Sequence, residues 1–180
     1  EMKGISKKET KYIEENRRFQ TRHGNLNWRS ALKNRNLLTL AVAFLCSQWG
    51  NYFFIAWMPV YLQEGRHFSE EGMKIITSWL FIIGALSGLI AGYVIDWLVK
   101  RKGLRTGRRI SGVTSVGAMA LVFLVAAITS NNTVVVICFI IGNFFVWHSV
   151  VCSVSVTVDI GGERTATLYG LVNFVGQIGA

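Results

Sequence analysis

The chain has 180 residues, 51% hydrophobic and 16% charged, with a net charge of +9. A soluble domain carries about 25% charged residues, and the placement of the charges here excludes one: residues 36–63, 75–95, 110–158 and 165–180 contain no Asp, Glu, Lys or Arg. A basic surplus in a soluble protein points to nucleic acid, but these basic residues cluster between the apolar runs, where membrane topology accounts for them without a nucleic-acid partner.

Residues 1–36 are polar, with ten Lys/Arg and four Glu. They are expected to form a cytoplasmic loop, with a short surface helix over residues 7–18. A spanning helix needs about 20 mainly apolar residues. The first predicted span covers residues 37–62. Its end, Trp57-Met58-Pro59-Val60-Tyr61-Leu62, sets aromatic residues at an interface, and Pro59 loosens the last turn. The second covers 73–98 and repeats Gly84, Gly88 and Gly92 on one face, a spacing that lets another helix approach closely. A basic loop of residues 100–109 leads to a third span, 110–129. Ser130-Asn131-Asn132-Thr133 turns the chain into a fourth, 134–156; Asn131-Asn132-Thr133 also has the pattern of a glycosylation sequon. A connector, Asp159-Ile160-Gly161-Gly162-Glu163-Arg164, opens a fifth span over 165–180, expected to be cut short. The segments are apolar all round, unlike the one-sided helices of a soluble bundle. Residues 37–180 therefore read as an all-α polytopic membrane bundle.

Alternating spans put residues 1–36, 99–109 and 157–165 on one side, with ten, six and one basic residues; the other side has only Arg66 and Lys74. The excess of Lys and Arg assigns the first side to the cytoplasm. Cys46, Cys138 and Cys152 lie inside spans without metal-ligand spacing and read as apolar filler. One span histidine and three scattered cysteines provide no catalytic or metal constellation, so an enzyme is not expected, nor any cofactor.

After the second span the chain reads Gly92-Tyr93-Val94-Ile95-Asp96, then Lys100-Arg101. This resembles the loop signature of the Major Facilitator Superfamily, departing from it at Trp97 and Val99. The segment Asn51-Tyr52-Phe53-Phe54-Ile55-Ala56-Trp57-Met58-Pro59-Val60-Tyr61-Leu62 is similar to the seventh helix of that family's anion:cation symporter branch. Asp159-Ile160-Gly161-Gly162 with Gly170-Leu171-Val172-Asn173-Phe174-Val175-Gly176 is similar to the branch's loop and start of helix eleven. Trp28-Arg29 and Asn34-Arg35 resemble the end of its central loop. The resemblance implies helices seven to eleven of the second half of the fold, the last incomplete, with the N-terminal half and helix twelve absent. It implies a proton- or sodium-coupled symporter of a sugar acid or small carboxylate in a bacterial inner membrane. Gly92, Asp96, Lys100 and Arg101 would then serve in gating, Asp96 capping a neighbouring helix or pairing with the basic loop.

Such carriers hold substrate near the bilayer midplane, where polar side chains face the interior because lipid excludes them. Gln48, Asn51 and Tyr52 share one face of the first span. Asn143 and Trp147 share one of the fourth, with His148 beside them as a candidate proton carrier. Asn173 and Gln177 share one of the fifth. These seven amides and aromatics, with His148 apart, are the expected substrate contacts. No Lys or Arg lies in a span core, so the charge partner of an anion is expected in the missing half. The alternatives are an efflux or sugar carrier for a non-anionic substrate and a structural or signalling membrane protein.

Overall fold

The computed structural model describes residues 35–179, together with Lys8 and Lys33. The chain divides into Glu1–Lys33 and Asn34–Ala180, and the following concerns the second unit. The expected loop over residues 1–36 falls outside the described residues except for Lys8, Lys33, Arg35 and Asn36, the last two of which open the first helix.

All regular structure among the described residues is helical. Helix α1 runs Arg35–Gly65, α2 Glu70–Lys102, α3 Leu104–Ile128, α4 Asn132–Gly161, and α5 Thr165–Ile178 follows a short 3-10 turn. The first four are long and apolar enough to cross a membrane. At about 1.5 Å per residue, the 14 residues of α5 reach about 21 Å, short of the ~30 Å hydrocarbon core.

Local chemistry sets the ends. At the start of α2, the Ser69 hydroxyl accepts from the Gly72 amide at 3.2 Å, and Glu70 and Glu71 occupy the first turn. Lys100, Arg101 and Lys102 fill the last turn, so both ends complement the helix dipole. Helix α4 opens on Asn131, whose side-chain oxygen accepts from the amides of Thr133 at 2.9 Å and Val134 at 3.4 Å. The α2–α3 turn is a single residue, Gly103, at φ 82°, a conformation favouring glycine. A Cβ on Gly107 would lie 2.7 Å from the Val99 backbone nitrogen, so this hairpin closes backbone to backbone.

Helix α1 is continuous but not uniform. Phe53–Trp57 and Tyr61–Gly65 are wound as π-helix, with Met58–Val60 between them. Pro59 lacks an amide hydrogen, and its ring crowds the preceding turn. Wider turns on either side relieve that crowding. Pro59 therefore loosens two turns of α1 rather than the last one alone.

Helix α4 is central and packs against α1, α2, α3 and α5, while α5 packs mainly on α1. Toward one end the interior is aromatic and aliphatic. Phe54, Met58, Leu62, Leu80, Ala126, Val135 and Phe139 are buried there, and Phe53 meets Phe123 and Phe139 edge-on with ring centres 5.5 and 5.6 Å apart. Toward the end bearing Lys100–Lys102 the contacts are small and polar. Ser47 and Ser149 hydroxyls lie 3.1 Å apart, Ser111 Oγ is 2.8 Å from His148 Nε2, and Ser87 donates to the Phe144 carbonyl at 2.6 Å. Lipid supplies no hydrophobic drive between helices, so close packing and hydrogen bonds of about 0.6 kcal/mol each hold such bundles together.

Candidate functional site

The polar side chains inside the spans fall into two groups. Ser47, Ser87, Ser111, His148 and Ser149 are consumed in hydrogen bonds between helices. Gln48, Asn51, Asn173 and Gln177 make no hydrogen bond among the described residues, and neither does the indole nitrogen of Trp147. Asn143 is intermediate. Its amide nitrogen donates to the Leu80 carbonyl at 2.6 Å, and its oxygen has no partner among the described residues.

Three of these residues come together. Asn51, Asn143 and Trp147 line one small cavity between α1, α2 and α4, with Thr77, Phe54, Ile55 and Met58. Its volume is about 10 Å³, room for one water at most. Phe54 and Ile55 belong to the first π-wound segment of α1, so the irregular backbone lies against this cluster. Single π turns inside α-helices recur at functional sites.

Gly84 seats the cluster. A Cβ at this position would lie 2.5 Å from the Trp147 indole nitrogen and 3.2 Å from the Asn143 amide nitrogen. The indole of α4 therefore lies directly over the backbone of α2. At Gly88 and Gly92 an added Cβ would meet nothing within 4 Å. Among the described residues the expected close-packing stripe is thus used at Gly84 alone. Sequence reasoning found Gly84 through its spacing but missed that it faces the Asn143–Trp147 pair.

The remaining expected contacts lie elsewhere. Gln48 is buried, and its side chain packs at Gly176 of α5 together with Phe44. Tyr52 sits on another face of α1, in an aromatic groove of about 800 Å³ with Trp49, Trp57 and Tyr61. It does not line the cavity with Asn51, because the 100° per residue of a helix turns adjacent positions to different faces. Asn173 is half-buried and Gln177 exposed on α5, outside the cavity lining. His148 points to Ser111 of α3, a different direction from its neighbour Trp147.

The residues expected to serve in gating also make contacts other than those expected. Asp96 is exposed and makes no ion pair or hydrogen bond among the described residues, so neither the expected cap nor the pairing with the basic loop is formed among them. Arg101 lies over the Trp97 ring at 4.4 Å, and Lys100 is exposed. The acid that engages the basic loop is Asp159, at the end of α4, whose carboxylate accepts from Arg108 Nε at 2.8 Å. Their side chains are only 16% and 24% exposed. Sequence reasoning did not pair them, because the partners are 51 positions apart.

Known proteins similar to the chain are carriers. It is 28% identical over 156 residues to the hexuronate transporter of Bacillus subtilis, an alignment covering 82% of this chain and 37% of that protein. It is 33% identical over 73 residues to the probable L-galactonate transporter of Escherichia coli, covering 41% and 16%. To the probable sulfoacetate transporter of Cupriavidus necator it is 28% identical over 149 residues, covering 81% and 34%. The chain thus spans about a third or less of the length of these relatives. The family model of the Major Facilitator Superfamily matches residues 3–180. This match over nearly the whole chain, on a bundle of long apolar helices, places the chain in the Major Facilitator Superfamily.

Proposed function

We propose that this chain forms part of a secondary-active carrier for a small organic anion, working by alternating access in a bacterial inner membrane. The carrying observation is the meeting of Asn51, Asn143 and Trp147 at one cavity inside the spans, where the Asn51 amide, the Asn143 oxygen and the Trp147 indole nitrogen have no hydrogen-bond partner among the described residues. Unspent polar groups are costly in lipid and persist where a ligand or water path needs them. Two amides and an indole N–H suit hydroxyl groups, and the indole face suits the carbon skeleton of a sugar acid. Among the described residues no cation lines this cavity, so the carboxylate's charge partner is assigned to residues other than these. Proton or sodium coupling would likewise reside elsewhere, since His148 is bonded to Ser111. The basic end of the bundle faces the cytoplasm. Opening of the small cavity falls to the π-wound part of α1, whose loosened turns carry Phe54 and Ile55 away from it.

The test is uptake by the full-length protein in proteoliposomes, with a hexuronate, an aldonate, sulfoacetate and the matching neutral sugars as labelled substrates. Imposed inward proton or sodium gradients should each be tried. The expected outcome is gradient-driven accumulation of a hydroxylated acid, reduced at least tenfold in Asn143→Ala and Trp147→Ala. Accumulation of neutral sugars and of no acid would replace the anion reading with that of a sugar carrier.

A further inference from the structure

The cytoplasmic-end hairpin of α2 and α3 concentrates charge that the bundle does not use. Lys100, Arg101 and Lys102 stand in the last turn of α2, and Arg105 and Arg109 in the first turns of α3. All five are exposed, and none has an acidic partner among the described residues. The sixth, Arg108, is already committed to Asp159. Asp96, one turn before Lys100, is the nearest acid in sequence, and it is unpaired as well.

The field of α3 adds to this charge. Its N-terminus has no side-chain cap and no acid in its first turn, so the positive end of the helix dipole lies beside the arginines. The apolar neighbours fix the depth. Trp97 is 42% exposed beneath the Arg101 guanidinium, Leu104 is 51% exposed at the start of α3, and Tyr93 is 75% exposed one turn below Trp97. An indole and a tyrosine ring below a row of cations match the boundary between acyl chains and headgroups. A soluble polyanion would need only the cations. The exposed Trp97, Tyr93 and Leu104 fit a ligand that brings hydrocarbon with its phosphate.

We infer that this hairpin is a binding surface for anionic phospholipid headgroups, held by Lys100, Arg101, Lys102, Arg105 and Arg109, with Trp97 and Leu104 at the acyl boundary. Juxtamembrane basic clusters of four to eight residues attract anionic lipid in this way. The surface would tie the loop between α2 and α3 to the leaflet, so that lipid charge bears on the same segment as Asp96.

The experiment compares full-length protein, wild type and a K100Q/R101Q/K102Q/R105Q variant, by native mass spectrometry from micelles containing equal phosphatidylglycerol and phosphatidylcholine. The wild type should retain phosphatidylglycerol over phosphatidylcholine by about tenfold or more, since each basic residue near the surface is worth about fivefold. The variant should lose that preference, a charge-conserving variant (R101K/R105K) should keep most of it, and Trp97→Ala should reduce retention without changing the charge dependence. Insertion topology, read by thiol labelling of introduced cysteines, serves as the control. A variant with unaltered topology and undiminished lipid preference would overturn the inference and leave the cations a topological signal only. Binding of inorganic pyrophosphate as tight as that of the lipid, insensitive to Trp97→Ala, would overturn it in favour of a soluble anion.

Discussion

At the scale of single residues, Gly84 has the sharpest consequence. The Trp147 indole occupies the space where any other residue would place its Cβ. In Gly84→Ala the ring must leave its seat, because the contact is with a rigid ring rather than the end of a flexible chain. Overpacking of this kind costs about 1–3 kcal/mol. The expected result is a lower melting temperature of the purified carrier and a raised KM for substrate, with Trp147→Phe in the same background recovering stability but not KM. Unchanged stability and KM in Gly84→Ala would show that the indole is not held there. His148 illustrates the converse. Its place in the fourth span suggested a proton carrier, but its bond to Ser111 makes it a tie between α3 and α4.

At the scale of elements, the loosened end of α1 needs an anchor, and Arg66 supplies it. Its Nε donates to the Tyr61 hydroxyl at 2.7 Å, and its Nη2 donates to the carbonyls of Thr129 at 2.8 Å and Ala126 at 3.3 Å. Those carbonyls belong to the C-terminal end of α3, where the last turn has no helical donors. The Asn132 amide donates to the Arg66 carbonyl at 3.3 Å and closes the ring of contacts. A lysine offers its donors from a single nitrogen where the arginine has a planar fork. Arg66→Lys is therefore expected to cost about 1–2 kcal/mol and to speed hydrogen exchange of the amides in residues 61–68, with little change in α2. Exchange equal to wild type would show that the loop is held by other contacts.

At the scale of the whole molecule, the Arg108–Asp159 pair joins α3 to the end of α4. Arg108 Nη1 is buried without a hydrogen-bond partner among the described residues, so the guanidinium depends heavily on this one carboxylate. Losing one partner of a mostly buried pair leaves an uncompensated charge. Asp159→Asn should therefore lower stability by about 1–3 kcal/mol, a figure reduced for the partial exposure of both side chains. It should cost more than Arg108→Gln, which leaves the more exposed partner behind. The double variant R108Q/D159N should be milder than Asp159→Asn alone. Thermal melts of the four proteins form the cycle, and simple additivity would show that the pair is not coupled.

The amino-acid sequence by itself determined the class, the number of apolar segments and the clustering of basic residues at alternate connections. These follow from one-dimensional physics: a span must be long and free of charge because the bilayer core accepts nothing else. Four matching segments also sufficed to indicate the family. What only the tertiary structure decided is which polar residues meet. Asn51 is 92 positions from Asn143 in the chain, yet both line one cavity, whereas Tyr52, next to Asn51, faces another groove. Sequence spacing places side chains on a face of one helix but not opposite a given neighbour. That depends on how helices rotate against each other, which glycines such as Gly84 and hydrogen bonds such as Ser111–His148 set through three-dimensional contact.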